Sequence, residues 1–303
     1  MLQASFYSDT IKKRNRRNCC RIKEENVYIP ELLKEKRTIS FEVFPPKNDK
    51  PLEPLMETLR HLYGLDPDFL SVTYGAGGTN AGRATTICNS IAKSGNTVMA
   101  HFTCIGLDTE EVKSAIDEFR TAGVQNLLLL RGDLPEGWTG TRGSFDNATE
   151  LIRSVREVAS DMAISAAAYP ETHLESDPEQ GIEILKEKQD LGVSFFMTQL
   201  CYDVDAFACF LEKAQKAGVT APMVVGVMPV LKAESTIKMT LSNGCSIPAD
   251  VARLIGRWDK SPEDFRKAGK EYTLQLIERF KNAGADGIHL YTLNKYEDVV
   301  DLV

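Results

Sequence analysis

The sequence predicts an α/β fold: a single (β/α)8 barrel of the TIM type, preceded by a short N-terminal helical extension. Three observations predict it. Eight short apolar runs, bounded by turn residues, recur along the chain at 38–44, 69–74, 97–104, 125–130, 163–169, 194–199, 223–228 and 287–291. Helix-length amphipathic stretches separate them, as expected of buried parallel strands joined by crossover helices. Most runs end in a polar residue able to do chemistry, and in a β/α barrel the reactive groups sit where strands end and βα loops begin. Seven or fewer true strands would instead allow an open doubly wound sheet.

The chain divides at residue 37. Residues 1–37 carry a basic cluster of Lys12, Lys13, Arg14, Arg16, Arg17, Arg21 and Lys23, then a mixed-charge segment. A solvated helix with a frayed start is the expectation, and a docking arm for an acidic partner or a second subunit is the alternative. Residues 38–303 form the catalytic barrel. Its helices are expected at 51–63, 81–94, 109–122, 147–160, 178–191, 203–217 and 262–283, most of them closed by a glycine.

Composition narrows the function classes. The 303 residues are 43% hydrophobic and 26% charged, the balance of a globular protein able to bury a large core. A net charge of −7 argues against nucleic acid or a membrane surface as partner of the whole chain. No apolar stretch approaches the roughly 18–20 residues a bilayer span needs. The first residues lack the order of a secretory signal. Seven Cys without a C-x-x-C motif suit a reduced, cytoplasmic protein. The adjacent pair Cys19-Cys20 is poorly placed for a relaxed disulfide.

Four strand ends carry candidate chemistry. Glu42 in Ser40-Phe41-Glu42-Val43-Phe44-Pro45-Pro46 alternates with Phe41 and Val43, so it points into the barrel. Burying a carboxyl disfavours its charged form, which suits a general acid; a Glu paired with Lys or Arg at the rim is the equal alternative. The loop after Thr73 and Tyr74, Gly75-Ala76-Gly77-Gly78, can bring backbone N–H groups to an anion, but it is neither a P-loop nor a dinucleotide fingerprint. His101 and Thr103 share a strand face, whereas His101 and Cys104 do not, so a metal shared by the latter pair is rejected. Arg131-Gly132-Asp133 combines a fixed cation, a glycine that permits close approach and an acceptor. A structural ion pair closing the loop is the alternative there, as a satisfied core histidine is for His101.

Seven blocks in order at successive strand ends, SFEVFPPK, SVTYGAGG, AHFTC, LLLRGDLP, AAAYPETH, LKEK…GVSFFMTQ and HLYTLNK, closely resemble the methylenetetrahydrofolate reductases. The match runs from Ile39 to Lys295. The resemblance implies a β/α barrel that binds FAD and makes 5-methyltetrahydrofolate from 5,10-methylenetetrahydrofolate by ping-pong hydride transfer, and without ligand-spaced Cys or His no metal is expected. Glu42 then matches the general acid that protonates N10 of the folate. Asp133 matches a carboxylate near the flavin that binds the pterin. Gln199 matches a folate and nicotinamide contact, and Thr73 a residue beside nicotinamide and flavin. Tyr74, Ala76, His101, Arg131, Gly132, Ala148, Tyr169, His173 and Lys188 match FAD contacts. Leu293 and Lys295 match substrate-side residues after the last strand, Lys295 standing for an Arg of some members.

Departures from the pattern carry their own expectations. Met239 falls where one branch has a mobile Phe that packs on nicotinamide or folate, so a softer apolar surface replaces it and donor preference is open. An acidic contact to the FAD adenosine falls at Gln180 or Gly181 and is left unassigned. The chain ends at Val303, with no room expected for the S-adenosylmethionine-responsive domain of the animal enzymes. The expected partners are folate, NADH or NADPH as donor, and further copies of the chain in a homo-oligomer. A second flavin-linked barrel oxidoreductase such as a proline dehydrogenase, or a partner-dependent subunit of a larger redox assembly fed by a redox protein, are the alternative functions. Folate-dependent reoxidation separates the first of these, and activity of the isolated chain with NADH the second.

Overall fold

The computed structural model describes residues 27–74, 81–135, 137–171, 177–258 and 260–303. Eight parallel strands close into a barrel in sequence order: β1 (Thr38–Val43), β2 (Phe69–Val72), β3 (Val98–Thr103), β4 (Asn126–Leu130), β5 (Ala163–Ala168), β6 (Phe195–Thr198), β7 (Met223–Val227) and β8 (Gly287–Tyr291). Closure, and not an open sheet, is therefore the outcome. Between the strands lie α2 (Glu53–Tyr63), α3 (Ala81–Lys93), α4 (Thr109–Thr121), α5 (Ala148–Val158), α6 (Pro178–Asp190) and α7 (Val204–Lys216), with α10 (Pro262–Asn282) before the last strand. All eight strands and these seven helices fall within a few residues of the sequence expectation.

Local chemistry accounts for the helix starts. The side chain of Asp108 accepts the Glu111 N–H at 2.8 Å, and Glu111 returns the bond to the Asp108 N–H at 2.8 Å. This reciprocal cap begins α4 one residue before Thr109. Asn147 caps α5 on the Glu150 N–H at 3.0 Å, and Asp203 caps α7 on the Ala206 N–H at 2.9 Å.

Strand alternation sorts the core into two regions. Phe41, Val43, Val72, Phe102, Leu129 and Ile164 face outward and are sealed beneath the helices. Inside the barrel, Phe69, Met99, Leu128, Phe195, Met197 and Val224 form a separate apolar cluster. Three helices depart from the sequence reading, at two places in the chain. The first is α1 (Ile29–Glu35), which belongs to the segment expected to be solvated. Ile29 and Leu33 are buried in the inner cluster and close the barrel where its strands begin. Asn126, itself fully buried, accepts the Ile29 N–H at 2.9 Å and donates to the Val27 carbonyl at 3.3 Å. Net basicity hid this role, since two apolar residues one turn apart suffice for it. The basic cluster at 12–23 lies outside the described residues. The second departure is a pair of helices between β7 and α10, α8 (Ala233–Ser242) and α9 (Ala249–Trp258), which the strand–helix alternation does not anticipate. No helix among the described residues is long and apolar enough to cross a membrane.

Truncating the plug tests its part in the core. Ile29→Ala is expected to lower unfolding stability by about 2–5 kcal/mol, the range for a buried large-to-small change. Urea denaturation measures it, and an unchanged midpoint would detach α1 from the core.

Candidate functional site

The mouth at the strand ends begins with Glu42. Register pairs it with Ser71 on β2 and with Tyr291 on β8, so all three meet although Glu42 and Tyr291 lie far apart in sequence. The Glu42 Oε2 atom is 3.8 Å from the Nε2 of His101 and 3.8 Å from the Nε2 of His289. No Lys or Arg pairs with Glu42 among the described residues. The Glu42 side chain keeps 19% of its surface open to solvent.

Beneath it, His289 is fully buried and bracketed by two hydroxyls. Ser40 Oγ lies 2.8 Å from Nδ1 and Ser71 Oγ 3.0 Å from Nε2. Both ring nitrogens are thereby satisfied, as a buried imidazole requires. His101 differs. Its Nε2 has no hydrogen-bond partner among the described residues, nor has the hydroxyl of Thr103 two residues on. Burial pushes the His101 imidazole down to about 4; Glu42 opposes that shift and His289 adds to it. The Tyr291 phenol is raised well above its ordinary value by burial, with the Glu42 carboxyl adding to the effect.

The remaining candidates separate into groups. Arg131, Gly132 and Asp133 follow β4 at the mouth, Arg131 and Asp133 with exposed side chains. Gly132 has φ +92°, and a Cβ there would stand 3.0 Å from both Ile105 and Thr103 side-chain atoms, so the turn excludes other residues. Tyr169, at the end of β5, is raised by burial and lies within electrostatic reach of Arg131 and Asp133. Ala148 is the first residue of α5. Gln199 follows β6, held by its N–H on the Ala168 carbonyl at 2.8 Å, and its side-chain oxygen accepts the Leu200 N–H at 2.7 Å. Thr73 follows β2, half-buried, with its N–H on the Val43 carbonyl at 3.1 Å. Leu293 is half-buried and Lys295 exposed after β8. Met239 is half-buried on α8.

Two candidates stand away from this mouth. The ring of Tyr74 packs on Phe102 and Phe119, at centroid distances of 5.2 and 6.0 Å, in the layer between sheet and helices. Burial raises its phenol to about 12. Lys188 lies on the buried face of α6 with Ile182 and Leu185, near the helix end that leads to the start of β6. Burial lowers its amine to about 8, and no ion pair reaches it among the described residues. Ala76 and His173 fall outside the described residues. His289 is the neighbour of Glu42 that the sequence reading passed over. Its signal was present, because His289 and Tyr291 alternate onto one face of GIHLY; that this face meets Glu42 follows only from closure.

The arrangement can hold a polar ring system. Orphaned, buried His101 Nε2 and Thr103 Oγ1 face the mouth beside the Gly132 turn, and Arg131 supplies a cation. A ligand offering hydrogen bonds and negative charge, as FAD does, fits this set. No group of three or more His, Cys, Asp or Glu able to hold a metal occurs among the described residues. Cys104 packs in the outer layer with Phe102, away from His101.

Acid should test the buried imidazole. The folded value near 4 lies below the ordinary 6.5, so the unfolded chain binds the proton first as pH falls. Stability is therefore expected to fall as pH drops from 6.5 toward 4, and His101→Gln to reduce that fall by roughly 1–3 kcal/mol. Denaturation midpoints across this window measure it, and parallel curves for both proteins would refute it.

Comparison with known proteins bears on the same chain. The family model described as Methylenetetrahydrofolate reductase matches residues 28–303. A 5,10-methylenetetrahydrofolate reductase of Escherichia coli is 31% identical over 261 residues, covering 86% of this chain and 87% of that one. A methylenetetrahydrofolate reductase (NADH) of Zea mays is 30% identical over 282 residues, 87% of this chain and 47% of that one. The chain thus spans about half the length of the plant relative. Among solved structures, a Clostridium thermocellum protein described as binding two copies of 5-methyl-5,6,7,8-tetrahydrofolic acid superposes with a TM-score of 0.63 at 15% identity, over 91% of this chain and 97% of that one. An oxaloacetate acetylhydrolase reaches 0.53 at 13% identity, over 90% and 82%. These two likenesses show the barrel fold alone.

Proposed function

Because this chain belongs to the methylenetetrahydrofolate reductase family, we propose that it reduces 5,10-methylenetetrahydrofolate to 5-methyltetrahydrofolate, with Glu42 as the general acid. The observation that carries this reading is the setting of Glu42: a carboxyl at the barrel mouth, flanked by two imidazoles at 3.8 Å and by no Lys or Arg among the described residues. A general acid must hold its proton when substrate arrives. His101 stays neutral above about pH 4, so it sets no positive charge against the carboxyl at neutral pH.

FAD, when bound, supplies the hydride chemistry between a reduced nucleotide and the folate. Arg131, Gly132, His101 and Tyr169 would hold it at the mouth, with Ala148 contributing the start of a helix. Tyr74 and Lys188 belong to the same set by family resemblance alone, since both stand away from this mouth. The chain's own chemical step is a proton transfer. Glu42 gives its proton to N10, the C–N10 bond of the bridge breaks with its electrons going to N10, and the iminium at N5 accepts hydride. The carboxylate regains a proton from solvent through its open surface. Asp133 and Gln199 orient the pterin, Leu293 and Lys295 line the substrate side, and Thr73 meets the nicotinamide. NADH, named for the Zea mays relative, is the proposed donor, and half-buried Met239 supplies an apolar surface toward it.

Two measurements test this reading. Heat-released cofactor from the pure protein should be FAD in about equimolar amount, and FMN in its place would count against it. Glu42→Gln keeps size and some hydrogen bonding but carries no acid proton. Reduction of the bound cofactor by NADH, followed anaerobically by absorbance, should largely survive in this variant. Reoxidation by methylenetetrahydrofolate should fall about 10³-fold, roughly 4 kcal/mol of transition-state stabilisation. Reoxidation near the wild-type rate would remove Glu42 from the role.

A further inference from the structure

Two side chains beyond β8 continue the β1–β8 ladder where the backbone no longer does. Backbone pairing runs through Glu42 and Tyr291. Past that point the chain turns, and Leu293 and Asn294 take φ of 48° and 58°. This left-handed region is costly for side-chain-bearing residues, and least so for Asn. Thr292, fully buried, donates its hydroxyl to the Glu42 carbonyl at 2.7 Å and accepts the Asn294 N–H at 3.0 Å. The Asn294 amide accepts the Phe44 N–H at 3.0 Å and donates to the Phe44 carbonyl at 2.8 Å. A carboxamide reproduces the donor and acceptor of a peptide group, so one side chain meets both backbone groups of Phe44 as a neighbouring strand would. Thr58 of α2 donates to the Asn294 carbonyl at 3.3 Å and ties the turn to the helix layer.

All of these bonds converge on the exit of β1. From the other side, the Thr73 N–H holds the Val43 carbonyl. Glu42, Val43 and Phe44 are thereby fixed at consecutive backbone groups just before Pro45 and Pro46. We propose that Thr292 and Asn294 are positioning residues for Glu42: they set where β1 releases the carboxyl into the mouth. The turn that makes the clamp also carries Leu293, so the acid and a substrate-side residue are tied to the same turn. This rests on the proposed role of Glu42 for its catalytic consequence, while the clamp itself rests on the geometry. A misplacement of about 1 Å in a reacting group costs on the order of 10²-fold in rate, so a loose exit should be visible in the proton-transfer step.

The test uses the full chain with three substitutions and two readouts. Thr292→Val keeps the shape of the side chain without its hydroxyl, and Thr292→Ser restores the hydroxyl. Asn294→Gly keeps the left-handed backbone without strain and removes the amide. Hydrogen exchange at the Phe44 amide should quicken by about tenfold or more in Asn294→Gly, because that N–H loses its acceptor. Folate-dependent reoxidation should slow by about 10- to 100-fold in Thr292→Val and Asn294→Gly, in the rate at saturating folate and not in KM, with cofactor reduction by NADH within about twofold. Thr292→Ser should behave as wild type. Unchanged exchange at Phe44 in Asn294→Gly overturns the clamp whatever the reaction. Quickened exchange with an unchanged folate step, or equal rates for the Val and Ser variants, overturns the positioning role. A wild-type protein that folate never reoxidises is a separate failure, that of the proposed function, and the exchange result still decides the clamp.

Discussion

Pairing of β8 with β1 closes the sheet, and the arrangement of the mouth depends on that seam. An open sheet would leave β1 and β8 as edges with unpaired backbone groups. Closure satisfies them, and it sets Ser40 against His289 and Glu42 against Tyr291. Residues from the two ends of the barrel sequence become one site. The seam is also reinforced beyond the backbone ladder, by the Thr292 hydroxyl and the Asn294 amide. The acid candidate therefore sits on the seam between the first and last strands, tied by side chains as well as by the backbone ladder.

Burial inside the barrel is graded along its axis. At the strand starts the interior is mostly apolar, filled by Phe69, Phe195 and Val224 and plugged by Ile29 and Leu33, with the buried Asn126 side chain bonded to the plug and the buried Thr38 hydroxyl without a partner among the described residues. One layer up it turns polar but satisfied, with Ser40 and Ser71 bracketing His289. Toward the strand ends His101 Nε2 and Thr103 Oγ1 lack partners among the described residues. Unpaired buried polar groups cost stability, on the order of 1–3 kcal/mol each, and the pair at the mouth is placed where a ligand could complete it.

Much of this was legible in the sequence. The strand and helix order follows from apolar runs of the right length and from capping residues, which act within a few positions of one another. Alternation alone placed Glu42 inward and Phe41 and Val43 outward, because a strand turns each successive side chain to the opposite face. The family followed from seven short blocks in register, and residues 28–303 match its model.

Other features were decided only by the tertiary structure, because they depend on which faces meet. The outward packing of Tyr74 on Phe102 and Phe119 follows from the path of the chain after β2, which local pattern does not specify. The plug helix was masked by the charge of its surroundings, since burial of Ile29 depends on the open end of a barrel formed by residues far along the chain. His289 reads as one polar residue in an apolar run; that it lies beneath Glu42 between two serines is a consequence of closure. Sequence by itself determined the eight strands, the seven helices expected between them, their order, the inward direction of Glu42 and the family. Tertiary structure decided the contacts among inward residues from distant strands, because register across the β1–β8 seam is a long-range property that no local spacing encodes.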